Sequence, residues 1–130
     1  MNEHLYIVCQ IGEKLIAVDS EQIVEVIPSI PVTPLPKPHQ NVKGVLIREN
    51  KMVLLLDKTT SIFGDIKEPE RFYMILLLGH DEIGICAHKI EMEMSIADHL
   101  WIYQPENIFE FYCTINGNII YRMDFKAWGR

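Results

Sequence analysis

Every apolar run in this chain is short, and a turn former or a charge ends each one. The longest, Phe72 to Gly79, falls far short of the roughly 20 residues that span a bilayer. No segment sustains a 3.6-residue period, so the chain has little choice but short strands. The runs are Leu5–Ile11, Leu15–Val18, Ile23–Ile27, Val42–Arg48, Met52–Leu56, Phe72–Leu78, Glu82–Ala87, Lys89–Met94, Phe111–Ile115 and Ile119–Met123. Gly12-Glu13 joins the first two as a hairpin. Asn50 suits a second tight turn, because Asn tolerates positive φ. Asn116-Gly117 is the strongest turn signal in the chain, fitting a type I′ hairpin.

The remaining segments are not strands. Pro28, Pro31, Pro34, Pro36 and Pro38 crowd one stretch. Proline lacks the backbone donor, so this is a loop or a sheet edge. Asp19-Ser20-Glu21-Gln22 has the form of a capped helical turn. Residues 57–64 read as a short helix closed by Gly64, and Ala97–Phe109 is ambiguous. Period-2 alternation selects Tyr6, Val8, Ile16, Val18, Val53, Leu55, Ile75, Leu77, Ile85 and Ile120 as the buried faces.

The halves align without gaps at an offset of 67 residues, the separation of Tyr6 from Tyr73. Gly12 then falls on Gly79, Ile16 on Ile83, Ile23 on Ile90, Asn50 on Gly117 and Asp57 on Asp124. Turn meets turn and strand meets strand. The expected fold is all-β: two small five-stranded barrels of the SH3 or OB kind, packed together as a pseudo-repeat with short helical turns. Residues 1–130 form one domain with subdomains of roughly 1–66 and 67–130. Each is too small for a good core alone, which leaves strand exchange between them open.

The chemistry is sparse. A net charge of −6 and a pI near 5.3 argue against nucleic acid and anionic membrane surfaces, which select clustered Lys and Arg. The late aromatics Tyr103, Phe109, Phe111, Tyr112, Tyr121 and Trp128 lie among Glu106, Glu110 and Asp124, and read as core and interface rim. Cys9, Cys86 and Cys113 are odd in number and embedded in apolar runs, so buried thiols in a reducing cytoplasm are expected. The N-terminal residues carry no signal-peptide pattern. Cys86 and His88 could form half a metal site, but no second pair has ligand spacing. The simpler reading is a packed thiol beside a surface histidine. Asp57 and Asp124 each open a short helix and are expected as N-caps rather than as an acid–base pair. No phosphate loop or dinucleotide fingerprint is present. The sequence reads as non-catalytic, without cofactor or metal.

With these elements in order, the chain resembles the CheW-like family, the coupling proteins of bacterial chemotaxis. The resemblance rests on Tyr6–Glu13, Leu15-Ile16-Ala17-Val18, Ile23-Val24-Glu25-Val26, the loop Thr33-Pro34-Leu35-Pro36-Lys37-Pro38, Gly44–Lys58 and Gly84-Ile85-Cys86-Ala87-His88-Lys89-Ile90. It departs from the family pattern where Glu49-Asn50 replaces Arg-Gly and Leu54 replaces Pro. The replacement at Glu49 reverses a charge beside Glu25, so Arg48 or Lys51 is expected to take over as the partner of Glu25. The resemblance implies a cytoplasmic adaptor that bridges the regulatory domain of a CheA-type histidine kinase and the cytoplasmic tip of a chemoreceptor. A subunit of a surface-motility array, or a β-barrel interaction module of another system, would share the fold and differ in partner. On this resemblance Gly44, Val45, Arg48, Glu49 and Asn50, at a hairpin tip, face the kinase. Ile23, Glu25, Val26, Ile90 and Met92 line a groove for the helical receptor tip, because their strands are repeat partners from two packed units.

Overall fold

The computed structural model describes residues 2–36, 42–56, 70–105 and 109–122. They form strands β1 (Glu3–Ile11), β2 (Lys14–Asp19), β3 (Ile23–Pro28), β4 (Val42–Arg48), β5 (Lys51–Leu56), β6 (Phe72–Leu78), β7 (Asp81–Ala87), β8 (Lys89–Ala97), β9 (Ile102–Tyr103), β10 (Phe111–Ile115) and β11 (Asn118–Arg122). The helical structure among the described residues is two 3-10 turns, Ser20–Gln22 and Asp98–Leu100. Asp19 caps the first, its Oδ1 accepting the Glu21 N–H at 3.0 Å. The expected helix at 57–64, the N-caps Asp57 and Asp124, the boundary near residue 66, and Glu106 and Trp128 lie outside the described residues.

A six-stranded sheet runs β8-β1-β2-β11-β10-β9 and a five-stranded sheet runs β3-β6-β7-β5-β4. Each draws strands from both halves of the chain. Hairpin β1–β2 lies in the sheet of β8 to β11, and hairpin β6–β7 in the sheet of β3 to β5. Advancing each strand of the smaller sheet, or setting it back, by 67 residues reproduces the order of the larger one up to β9. The register follows the same offset. Leu54 pairs with Ile83 in parallel, and Tyr121 with Ile16. Both edge ladders carry a bulge at the same place, between Ile23 and Glu25 and opposite Val8/Cys9. Glu49 and Asn50 have φ of 49° and 65°, and Asn116 and Gly117 have 51° and 81°, the two left-handed residues of a type I′ turn.

The two units are sheets rather than the expected five-stranded barrels. Among the described residues neither ladder closes into a ring. The two-residue strand β9 adds an edge beyond β10 in one sheet. In the other, the chain after β3 reaches β4 through one bridge, where Thr33 and Val45 exchange backbone hydrogen bonds of 2.8 and 3.1 Å.

Three apolar clusters hold the units together. Cys9, Ile11, Ile16 and Val18 of one sheet meet Leu56, Met74, Leu76, Ile85 and Ala87 of the other, with Phe109, to form a seam. Tyr6, Val8, Ala17, Ile96, Cys113 and Ile120 pack on the opposite face of the six-stranded sheet. Leu46, Val53, Leu55, Tyr73, Ile75 and Cys86 pack on that of the five-stranded sheet. Strands β1 and β6 are therefore buried on both faces, which is why they read as unbroken apolar runs. Burial removes Cys9 from ready ionisation, pushing its thiol up to about 12.

Two core expectations need correction. Leu77 is 44% exposed. It pairs with Glu82 past Ile75, where the apolar interior of its unit has given way to charged side chains. His88 is buried rather than at the surface. It sits at the bend between β7 and β8, and its Nδ1 accepts the Gly12 N–H at 3.1 Å, while its backbone N–H donates to the backbone oxygen of Gln10 at 2.8 Å. The histidine thus pins the β1–β2 turn. Among the described residues no group of three His, Cys, Asp or Glu comes together as a metal site.

Candidate functional site

Hairpin β4–β5 projects from the edge of the five-stranded sheet. Leu46 and Val53 point inward, so the cross-strand pair Ile47 and Met52 points outward. These two are 67% and 71% exposed, and Leu54 beside them is also exposed. Apolar side chains bared side by side on one hairpin face mark a docking surface more often than isolated ones do. Sequence reasoning missed them because alternation assigns such residues to the solvent face without showing that they adjoin.

The other face of the tip is charged. Arg48 Nε donates to Glu25 Oε2 at 2.8 Å and Nη1 donates to Glu82 Oε1 at 2.9 Å, with Glu49 Oε2 at 3.5 Å. Lys51 Nζ lies 3.8 Å from the other oxygen of Glu82. The Glu25 hydrogen bond, offset by desolvation and supported by the charges of Glu49 and Glu82, pushes the Arg48 pKa up. Arg48 therefore takes the place beside Glu25 that the reversed charge at Glu49 vacates. It ties the tip to β3 and β7, so the apolar face is presented on a fixed frame.

Gly44 does not lie at the tip as expected; it is buried in β4. A Cβ there would sit 2.6 Å from Thr33 O and 2.9 Å from Val32 Cγ2. Its role is to let the proline-rich loop close onto β4, while Val45 is half-buried and Glu49 and Asn50 are exposed.

The five candidate groove residues divide between two faces. Ile23, Val26 and Ile90 are half-buried and pack against the seam. Glu25 and Met92 point to the opposite side. The bulges cause the division: Ile90 pairs with Cys9 of the seam, but Met92 pairs with Val8 of the second cluster. Likewise Ile23 pairs with Leu76, and Glu25 with Ile75. One extra residue on the bulged strand shifts the alternation, so positions two apart no longer share a face.

The fold and this hairpin define a non-enzymatic interaction module. The model of the CheW-like domain matches residues 5–100, and the chain belongs to that family, whose members are non-catalytic scaffolds and adaptors that bind CheA and chemoreceptors. The crystal structure of the scaffolding protein TtCheW from Thermoanaerobacter tengcongensis superposes with a TM-score of 0.85 at 14% identity, covering 95% of this chain and 86% of that one. No curated protein sequence matches the chain. No helix among the described residues is long and apolar enough to cross a membrane.

Proposed function

We propose that the chain acts in the cytoplasm as the coupling scaffold between a CheA-type histidine kinase and the cytoplasmic tip of a chemoreceptor. The observation that carries this reading is the outward apolar pair Ile47 and Met52, on a hairpin held by Arg48, Glu25 and Glu82. A rigid apolar patch rimmed by charge is the anatomy of a protein-docking surface. In this reading Val45, Arg48, Glu49 and Asn50 surround the kinase contact, and Gly44 supports it from beneath. The receptor helices lie along the edges of β3 and β8. Met92, which is half exposed and adaptable in shape, touches them, while Ile23, Val26 and Ile90 seal the seam behind.

The test is co-sedimentation of the kinase with a receptor cytoplasmic fragment, with and without the chain. The chain is expected to bring the kinase into the receptor pellet. Met92→Glu should keep the melting temperature and lose receptor binding, whereas Val26→Asp should lose stability first. A chain that binds neither protein overturns the proposal.

A further inference from the structure

From the end of β3 to Pro36 almost every backbone torsion is preset by the sequence. Pro28, Pro31, Pro34 and Pro36 fix φ at about −65°. Ile27, Ile30, Thr33 and Leu35 each precede a proline and are held in the extended region. Only Ser29 and Val32 escape both restrictions, and tertiary contacts hold them. The Ser29 N–H donates to Arg71 O at 2.8 Å, and Val32 packs against the cluster of the five-stranded sheet. The Tyr73 hydroxyl donates to Ile30 O at 2.9 Å, and Thr33 bonds to Val45 through both its N–H and its carbonyl. The segment is a tethered, extended ribbon.

Burial along it follows a period of three, the period of the polyproline II helix. Ser29, Val32 and Leu35 form one ridge, and the last two are half-buried. Pro28, Pro31 and Pro34 form a second ridge, and Ile30, Thr33 and Pro36 a third. All six are exposed, Ile30 at 50%. Two dipeptides, Ile30-Pro31 and Thr33-Pro34, thus stand outward side by side, with Val32 turned in between them. Among the described residues the carbonyls of Pro31 and Pro34 accept no hydrogen bond. Blunting the edge of β4 calls for proline. It does not call for this spacing, nor for a bared isoleucine before one of the prolines. The fold does not demand the ribbon either. Advanced by 67 residues, Pro28, Pro31 and Pro34 become Ser95, Asp98 and Trp101, and the twin unit builds a 3-10 turn there.

We propose that residues 30–34 are a ligand for a protein domain that binds polyproline II ribbons in a groove walled by aromatic rings, with Ile30-Pro31 in one slot and Thr33-Pro34 in the next. Charge fixes the direction. Arg71, bonded to Ser29 through its backbone, is exposed, and its guanidinium has no carboxylate partner among the described residues. The groove that fits carries a carboxylate at the end that receives Ile30. Because the ribbon is already tethered straight, binding orders little further chain. The site rests on this segment alone and does not depend on the coupling role.

The test is isothermal titration of the full chain into an SH3 domain that accepts arginine-flanked PxxP ligands, with a capped peptide of residues 29–36 titrated alongside. The chain should bind at least about tenfold more tightly than the peptide, which must be ordered and lacks Arg71. The peptide should displace the bound chain. Pro31→Ala and Pro34→Ala should each weaken the chain at least about tenfold at an unchanged melting temperature, and Arg71→Gln about threefold. Pro28→Ala, outside the two dipeptides, should bind as the native chain does. No saturation by the chain, a chain no tighter than the peptide, a chain that the peptide cannot displace, undiminished binding in folded Pro31→Ala and Pro34→Ala, or an equal loss in Pro28→Ala overturns the proposal.

Discussion

The two units share a strand order, a register and a bulge, yet they treat equivalent positions in opposite ways. Leu55 is sealed inside the five-stranded unit, whereas Arg122 lines an open cavity in the six-stranded one. The Tyr73 hydroxyl donates to the backbone oxygen of Ile30 at 2.9 Å and draws the loop down, but the equivalent Tyr6 hydroxyl accepts from Arg122. The backbone repeat therefore fixes where a side chain points, and the side chain decides whether the unit closes. The closed unit carries the exposed apolar hairpin and the charged network that braces it. The unit that bares the apolar hairpin is thus the one whose equivalent of Arg122 is packed shut.

Exchanging the two residues would break the comparison most sharply. Leu55→Arg buries a charge with no partner and should cost on the order of 4 kcal/mol in urea denaturation. Arg122→Leu should change stability by no more than about 1 kcal/mol. Equal costs would mean that the cavity is structural after all. Gly44→Ala comes next, at about 1–3 kcal/mol, because the new Cβ meets the Thr33 carbonyl and not a flexible side chain. The equivalent position in the other unit already carries Phe111, so this demand for glycine belongs to the closed unit alone.

The turns give a smaller contrast. Glu49 stands at φ 49°, where its counterpart is Asn116 at φ 51°. A left-handed residue without the local hydrogen bonding of Asn is strained. Glu49→Asn should therefore raise stability by about 1 kcal/mol, read from the denaturation midpoint, and its exposed contact with Arg48 contributes little against that. Smallest is a pH effect confined to the five-stranded unit. Lys43 Nζ lies 3.0 Å from Glu70 Oε1, and the equivalent of Lys43 is Glu110, so the twin lacks this pair. Burial opposes ionisation of Glu70, but its backbone hydrogen bond and Lys43 outweigh that and hold the carboxyl below its usual 4.5. A depressed folded value contributes stability above the unfolded pKa and loses it as pH falls through the folded one. Glu70→Gln should thus lower the melting temperature slightly at neutral pH, and the two proteins should converge as the pH falls through the depressed folded value of Glu70.

Strand positions, turns and the 67-residue offset were legible in the sequence because apolar alternation and Gly or Asn turn chemistry are local. Val53, Leu55, Ile75 and Ile85 are all buried as alternation requires. Leu77 obeys the same alternation but stands beyond the end of the core, which a strand does not announce. The bulges at Val24 and Glu91 leave no mark in composition, so Met92 was grouped with Ile90 although they face opposite ways. The partnership of Arg48 with Glu25 could be anticipated from the reversed charge at Glu49. The Arg122 cavity could not, since it joins β1 to β11 across almost the whole chain. His88 looked like a surface residue because the Gly12 N–H that it accepts lies 76 residues away in sequence.

The central claim is that the apolar face of the β4–β5 hairpin is what the scaffold offers its kinase. It is tested most directly by isothermal titration of the regulatory domain of a cognate CheA-type kinase with three proteins: the native chain, Met52→Asp and Ile119→Asp. Ile119 is the repeat counterpart of Met52 and is also exposed. The account predicts unchanged melting temperatures for both variants, a loss of at least about tenfold in affinity for Met52→Asp, since exposed interface anchors cost more than about 1 kcal/mol when disrupted, and near-native affinity for Ile119→Asp. Native binding by Met52→Asp would contradict it.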